Sequence, residues 1–106
     1  MIFKMNCIKI KFSNDAIHFL VGDKVVRSTD CDCKQLQNQD GLSKESLEAL
    51  LQAIEKEIRF INRGSIFRPI LEIDVRFIEN FSQLHHQFFN ELGLSLKVRK
   101  FQIISD

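Results

Sequence analysis

At 106 residues and 44% apolar composition, the chain has the length of one domain, with material for a single core and no compositional sign of disorder. Fifteen Lys and Arg against fourteen Asp and Glu leave a net charge of +1, so nothing draws the chain over long range to polyanions or anionic membranes. No apolar run approaches the roughly 18–20 residues of a membrane-spanning helix, and three cysteines, an odd number, argue against a secreted disulfide framework.

The opening "MIFKMNCIKIKF" alternates with lysines and lacks the apolar core and cleavage site of a signal peptide, which predicts an intact strand in a cytoplasmic protein. On that reading the sequon Asn80-Phe81-Ser82 has no meaning for glycosylation. Ile8, Ile10 and Phe12 alternate with Lys9 and Lys11, the period of a half-buried strand. Phe3, Met5 and Cys7 have the opposite parity, which predicts a bulge near Cys7 or a strand start covered on both faces. After the turn at "SNDA", Ile17, Phe19 and Val21 mark a second strand. Gly22-Asp23 fits a tight hairpin into a third strand over 24–28. A polar stretch of about a dozen residues follows, "DCDCKQLQNQDGL", long enough to suit partner contact, in which "CKQLQ" is the right length for one helical turn.

Ser43 is placed as an N-cap, with Glu45 and Glu48 near the positive helix end. Leu47, Leu50, Leu51, Ile54, Ile58 and Ile61 recur at three- and four-residue spacing on one face. Gly64 reads as the terminating glycine, with Arg59 and Arg63 near the negative end. Leu71, Ile73, Val75 and Phe77 then alternate with Glu72, Asp74 and Arg76 as a strand that Pro69 opens. Asn80 with Gln83 resembles a capping box for a helix carrying Phe81, Leu84, Phe88 and Leu92, with Gly93 as its stop. A last strand is predicted over 95–104, with a parity change between Val98 and Phe101 that suggests a bulge. The order β-β-β-α-β-α-β predicts an α+β two-layer sandwich over residues 1–106, a single domain. Its mixed five-stranded sheet carries two helices on one face. The other face is expected to present Lys9, Lys11, Glu72, Asp74, Arg76, Lys97 and Arg99.

Five features compete as sites. Cys31 and Cys33 are weak metal candidates: extended, they point to one side, but no second ligand pair accompanies them, so no metal and no cofactor is expected. Asp30 and Asp32 oppose thiolate formation, which speaks against redox or nucleophilic work and leaves a polar loop. His85 falls within the apolar stripe of its helix, as a hydrogen-bonded core histidine would, while His86 points away; "HHQFFNE" is not a metalloprotease motif. Arg59, Arg63 and Arg68 surround a helix C-terminus and could bind an anion, or simply complement the helix dipole. Ala49, Ala53 and Phe60 lie about 140° from the apolar face of the long helix, which marks an overlying loop or an intermolecular contact. The charged sheet face lacks aromatics placed for base stacking.

Residues 71–95, "LEIDVRFIENFSQLHHQFFNELGLS", resemble the first strand and helix of barstar-type ribonuclease inhibitors. They share the Leu71-Glu72-Ile73-Asp74 strand and a Phe81-x-x-Leu84 helix ending in Glu91-Leu92-Gly93-Leu94. The aromatic-glycine and Asn-x-Asp-Ala stretch that carries inhibition in that family is missing, so no residue role transfers.

No glycine-rich phosphate loop, nucleophile elbow or recognisable pair of catalytic carboxylates appears, and the balance leans away from an enzyme. Two functions follow as expectations. The first is a small protein-binding module that contacts a protein partner or a second copy of itself through Phe60, Ala49, Ala53, Asp30 and Asp32. It would be an inhibitor of the immunity or antitoxin type, or an oligomeric accessory subunit. The alternative is a small nucleic-acid-binding protein or ribonuclease that uses Arg59, Arg63 and Arg68 with His85 and His86. No membrane partner is expected.

Overall fold

Three antiparallel strands begin the described chain because each apolar run alternates and each connection is a tight polar turn. A computed structural model describes residues 7–105, so the expectations for Phe3, Met5 and a bulge before Cys7 lie outside the described residues. The strands β1 (Cys7–Phe12), β2 (Ala16–Val21) and β3 (Lys24–Asp30) form a meander. Gly22, at φ 65, opens the two-residue loop between β2 and β3, and no other loop residue has positive φ, the pattern of a type II′ hairpin turn. A bulge at Val26, opposite Phe19 and Leu20, interrupts the β2–β3 ladder and was not visible in the residue pattern.

The long helix α1 (Lys44–Ile61) starts at Ser43, whose hydroxyl accepts the Ser46 backbone N–H at 3.1 Å. It buries Leu50, Ile54 and Ile58, with Leu47, Leu51 and Ile61 partly covered beside them. β4 (Ile70–Asp74) runs parallel to β1, α2 (Gln83–Ser95) follows, and β5 (Lys100–Ile104) runs parallel to β4. The strand order is β3-β2-β1-β4-β5. The result is the mixed five-stranded α+β sheet with two helices that the periodicity predicts. Ile8, Ile10 and Phe12 of β1, Ile17 and Phe19 of β2 and Leu71 and Ile73 of β4 share a core with Ile54 of α1 and Phe89 and Leu92 of α2.

Several boundaries differ from the sequence reading: β3 runs on to Asp30, and β4 ends at Asp74 rather than continuing through Phe77. The capping residue of α2 is Ser82, not Asn80: its hydroxyl accepts the His85 backbone N–H, and the His85 ring accepts the Ser82 backbone N–H. Gly93 does not end α2. It is buried within the helix, and the left-handed residue past the end is Lys97, at φ 51. The last strand therefore begins at Lys100 rather than near 95, and the parity change at Val98 reflects a helix-to-strand connection, not a bulge. Lys97 and Arg99 belong to that connection, and Arg76 to the turn after β4, instead of the strand face assigned to them.

The polar stretch after β3 is also more ordered than its composition suggests. Two 3₁₀ turns, at Cys33–Gln37 and Gln39–Gly41, shorten it, and Cys33 and Leu36 enter the core. Two apolar side chains three residues apart share one side of a 3₁₀ turn, so both can point inward while the polar residues stay in solvent.

Candidate functional site

The end of β3 and the start of α1 meet because β3 delivers residues 30–33 against the outer side of the helix. Cys31 and Cys33 continue the pairing past the strand: their backbone N–H groups donate to Asp15 and Asn14, each at 3.0 Å. Asp30, Asp32 and Leu36 on one wall and Ala49, Leu50 and Ala53 on the other enclose a cavity of about 310 Å³. Asp30, Asp32, Ala49 and Ala53, separate signals in the sequence, thus come to one place. On its far side the same segment borders an open cleft of about 510 Å³ between Asp15, Asp30, Asp32 and Lys34.

The other end of this strip is basic and aromatic. Arg27 of β3 donates from Nε to Glu57 of α1 at 2.6 Å, and Glu57 is almost wholly buried. Neither residue stood out in the sequence. One signal is in the sequence, since Glu57 lies on the apolar face beside Ile54, Ile58 and Ile61; Arg27 comes opposite the buried Phe19 only through the bulge at Val26. The guanidinium carbons of Arg27 and Arg63 both lie 4.2 Å from the centroid of the Phe60 ring. Such contacts are worth roughly 0.5–1 kcal/mol each at exposed sites.

The three arginines of the anion-binding alternative are not one cluster. Arg59 pairs with Glu55 one helical turn back. Arg59 and Arg68 line a cleft of about 560 Å³ together with Lys97, whereas Arg63 turns to Phe60. His85 is fully buried, with Nε2 2.8 Å from the Leu36 carbonyl and Nδ1 engaged by Ser82; His86 is exposed. The three cysteines of the described residues are unbridged. Burial first, then Cys31 and the Asp32 and Asp15 carboxylates, push the Cys33 thiol far up, so it stays protonated at neutral pH. Among the described residues, no three His, Cys, Asp or Glu side chains gather so as to hold a metal ion.

On the helix-free face of the sheet, Lys9, Lys11, Glu72 and Asp74 occur on adjoining central strands. Asp74 is buried, and both its oxygens accept from Arg76: Oδ1 from Nε at 2.9 Å and Oδ2 from Nη2 at 2.6 Å. These bonds hold the Asp74 carboxyl below the usual range; burial opposes them, and the charges of Arg76 and Lys11 assist. A depressed folded value means the stabilisation is complete above the ordinary aspartate range and is lost as pH falls through the depressed value. Asp74→Asn is therefore expected to cost roughly 1 kcal/mol at neutral pH, a modest figure because Arg76 is about half exposed. It should also narrow the gap between urea midpoints measured at neutral pH and at about pH 3. An unchanged gap would show that Asp74 does not contribute to acid sensitivity.

These elements define an α+β domain with a mixed sheet, one helix-covered face, and an open strip along β3 and α1. No protein-family model and no curated protein matches the chain. Solved structures from Aquifex aeolicus do. The type II variant of the Ppx/GppA phosphatase aligns with a TM-score of 0.56 at 11% identity, covering 96% of this chain and 36% of that one. Structures described as the PPX-GPPA enzyme and as a Ppx/GppA family member give TM-scores of 0.54 and 0.52 at 10% and 13% identity. They cover 95% of this chain, and it spans 36% and 35% of theirs. At this identity the likeness establishes a shared fold, and the chain spans about a third of the length of the structures it matches.

Proposed function

We propose that the protein is a small protein-binding module, an inhibitor of the immunity or antitoxin type or an oligomeric accessory subunit, acting through the β3–α1 strip. The observation that carries the reading is the strip itself. Val25, Val26 and Phe60 are 51%, 42% and 42% exposed beside an open strand edge, at the opposite end of the strip from the Asp30/Asp32/Ala49/Ala53 cavity. Exposed apolar side chains beside unpaired backbone groups are the ingredients of strand-addition and groove recognition.

The chemistry of the titratable groups also favours binding over catalysis. His85 has both nitrogens committed, Asp74 is held by Arg76, and Cys33 is a buried thiol. One structural neighbour is described as a phosphatase, which suggests phosphoryl chemistry. This chain has no glycine-rich loop of the kind that cradles a phosphate against backbone N–H groups.

One observation favours the nucleic-acid reading: Arg59, Arg68 and Lys97 line one cleft. Because Arg63 sits in the other strip, the discriminating change is Arg68→Glu with Lys97→Glu. Native mass spectrometry of the protein recovered from its own cells under reducing conditions tests both readings. A bound protein or a second copy, lost on Phe60→Asp with Ala53→Arg and kept on Arg68→Glu with Lys97→Glu, is the expected result. Co-purified RNA lost on the second pair alone would replace the binding-module reading with the alternative.

A further inference from the structure

We infer that the partner at the β3–α1 strip is a second copy of this chain, joined across a two-fold axis that pairs β3 with β3 antiparallel and sets α1 against α1. The inference deepens the binding-module reading and rests on it.

The argument is the order of charges along the strip. α1 lies antiparallel to β3: Ala49 and Ala53 border Asp30 and Asp32, while Glu57 and Phe60 border Arg27. One end therefore carries Asp30 and Asp32, and the other carries Lys24, Arg27 and Arg63. Asp23 at the basic end, Lys34 at the acidic end and Lys56 between Ala53 and Phe60 dilute this polarity without reversing it; Arg27 and Glu57 neutralise each other, so the basic end rests on Lys24 and Arg63. A two-fold axis near Ser28 turns each acidic end onto the other copy's basic end, so the strip is complementary to itself. A peptide partner would need the same polarity in reverse; a second copy already has it.

The middle of the strip suits the same arrangement. Ala49 and Ala53 allow a second helix to approach closely, and Phe60 stands exposed on the same side of α1. Among the described residues β3 pairs with β2 alone, leaving one edge open. The bulge at Val26 confines regular pairing to residues 27–30, so the sheet contact is short and the helices and charges must supply the rest.

The test is a charge swap read by analytical ultracentrifugation. Asp30→Lys with Asp32→Lys gives both ends of the strip a net positive charge, and Lys24→Glu with Arg63→Glu gives both a net negative charge; all four side chains are exposed, so the fold should persist by circular dichroism. The wild type is expected to dimerise, with affinity falling as salt rises. Each variant alone should dimerise at least about tenfold more weakly, because like charges face each other. An equimolar mixture of the two should form a heterodimer near wild-type affinity, because acid again meets base at both ends. A monomeric wild type, variants that still dimerise alone, or a mixture that stays monomeric would each overturn the inference. A monomeric wild type that still binds another protein, with binding lost on Ala53→Arg, would overturn the second copy and leave the binding module standing.

Discussion

His85→Ala is expected to lower the unfolding free energy by about 3–5 kcal/mol, measured by urea denaturation at neutral pH. The residue is fully buried and joins two elements that have no backbone ladder between them. Nδ1 accepts the Ser82 backbone N–H at 3.1 Å, so the ring proton belongs on Nε2, which donates to the Leu36 carbonyl at 2.8 Å. Alanine would orphan a helix N-cap donor and a buried carbonyl and leave a cavity beside Phe81, whose ring stacks on the imidazole at 5.5 Å. His85→Phe separates these terms. It fills the volume but offers no donor or acceptor, so it should still cost about 2 kcal/mol or more. Ser82→Ala removes only the hydroxyl of the cap and should cost about 1 kcal/mol. Hydrogen exchange in residues 33–41 should quicken in His85→Ala, since the 3₁₀ segment loses its tie to α2. If His85→Phe proved as stable as the wild type, the hydrogen bonds would have no net worth.

His85 also shows what the sequence could and could not reveal. Its place on the apolar stripe was readable from helical spacing; its partner, Leu36, was not, because that residue lies in a stretch whose Asp, Gln and Asn content looks like a solvated loop. The regular elements were legible where burial imposes a period. α1 announces itself through apolar residues at three- and four-residue spacing, and β1 and β4 through strict alternation. Strand order was not legible, since alternation says which face is buried and nothing about neighbours. The candidate site followed the same divide. Helical spacing puts Ala49 and Ala53 on the far side of α1 and composition puts Asp30 and Asp32 in a loop, yet only the packing of β3 beside the helix makes them one cavity. The ion pair between half-exposed Arg27 and buried Glu57 is not legible either, because a charged residue on an apolar stripe reads as an imperfection until its counter-charge is located. Glycines are ambiguous in a different way. A helix-stopping glycine and a glycine required by close packing look alike in sequence, and Gly93 is the second kind.

Gly93→Ala is expected to destabilise the protein by about 1–2 kcal/mol, and Gly93→Val by about 2–3 kcal/mol, although glycine in a helix interior is about 1 kcal/mol worse than alanine. A Cβ at this position would lie 2.6 Å from Cδ2 of Phe101 and 2.7 Å from two further ring carbons. The ring of β5 packs directly on the α2 backbone, and no rotation of a methyl group relieves that overlap. The cost must therefore reside in Phe101, and a double-mutant cycle locates it. Phe101→Ala alone should destabilise by about 2–3 kcal/mol, less than a fully buried phenylalanine, because Phe101 is only partly covered. In that background the clash is gone and only helix propensity remains. Gly93→Ala should then become neutral or stabilise by up to about 1 kcal/mol. The sign of one substitution thus turns on a second, across the packing of α2 on the edge strand β5. Urea midpoints of the four proteins are sufficient. If Gly93→Ala costs the same with and without the Phe101 ring, the contact does not explain the glycine, and a backbone requirement at residue 93 would have to replace it.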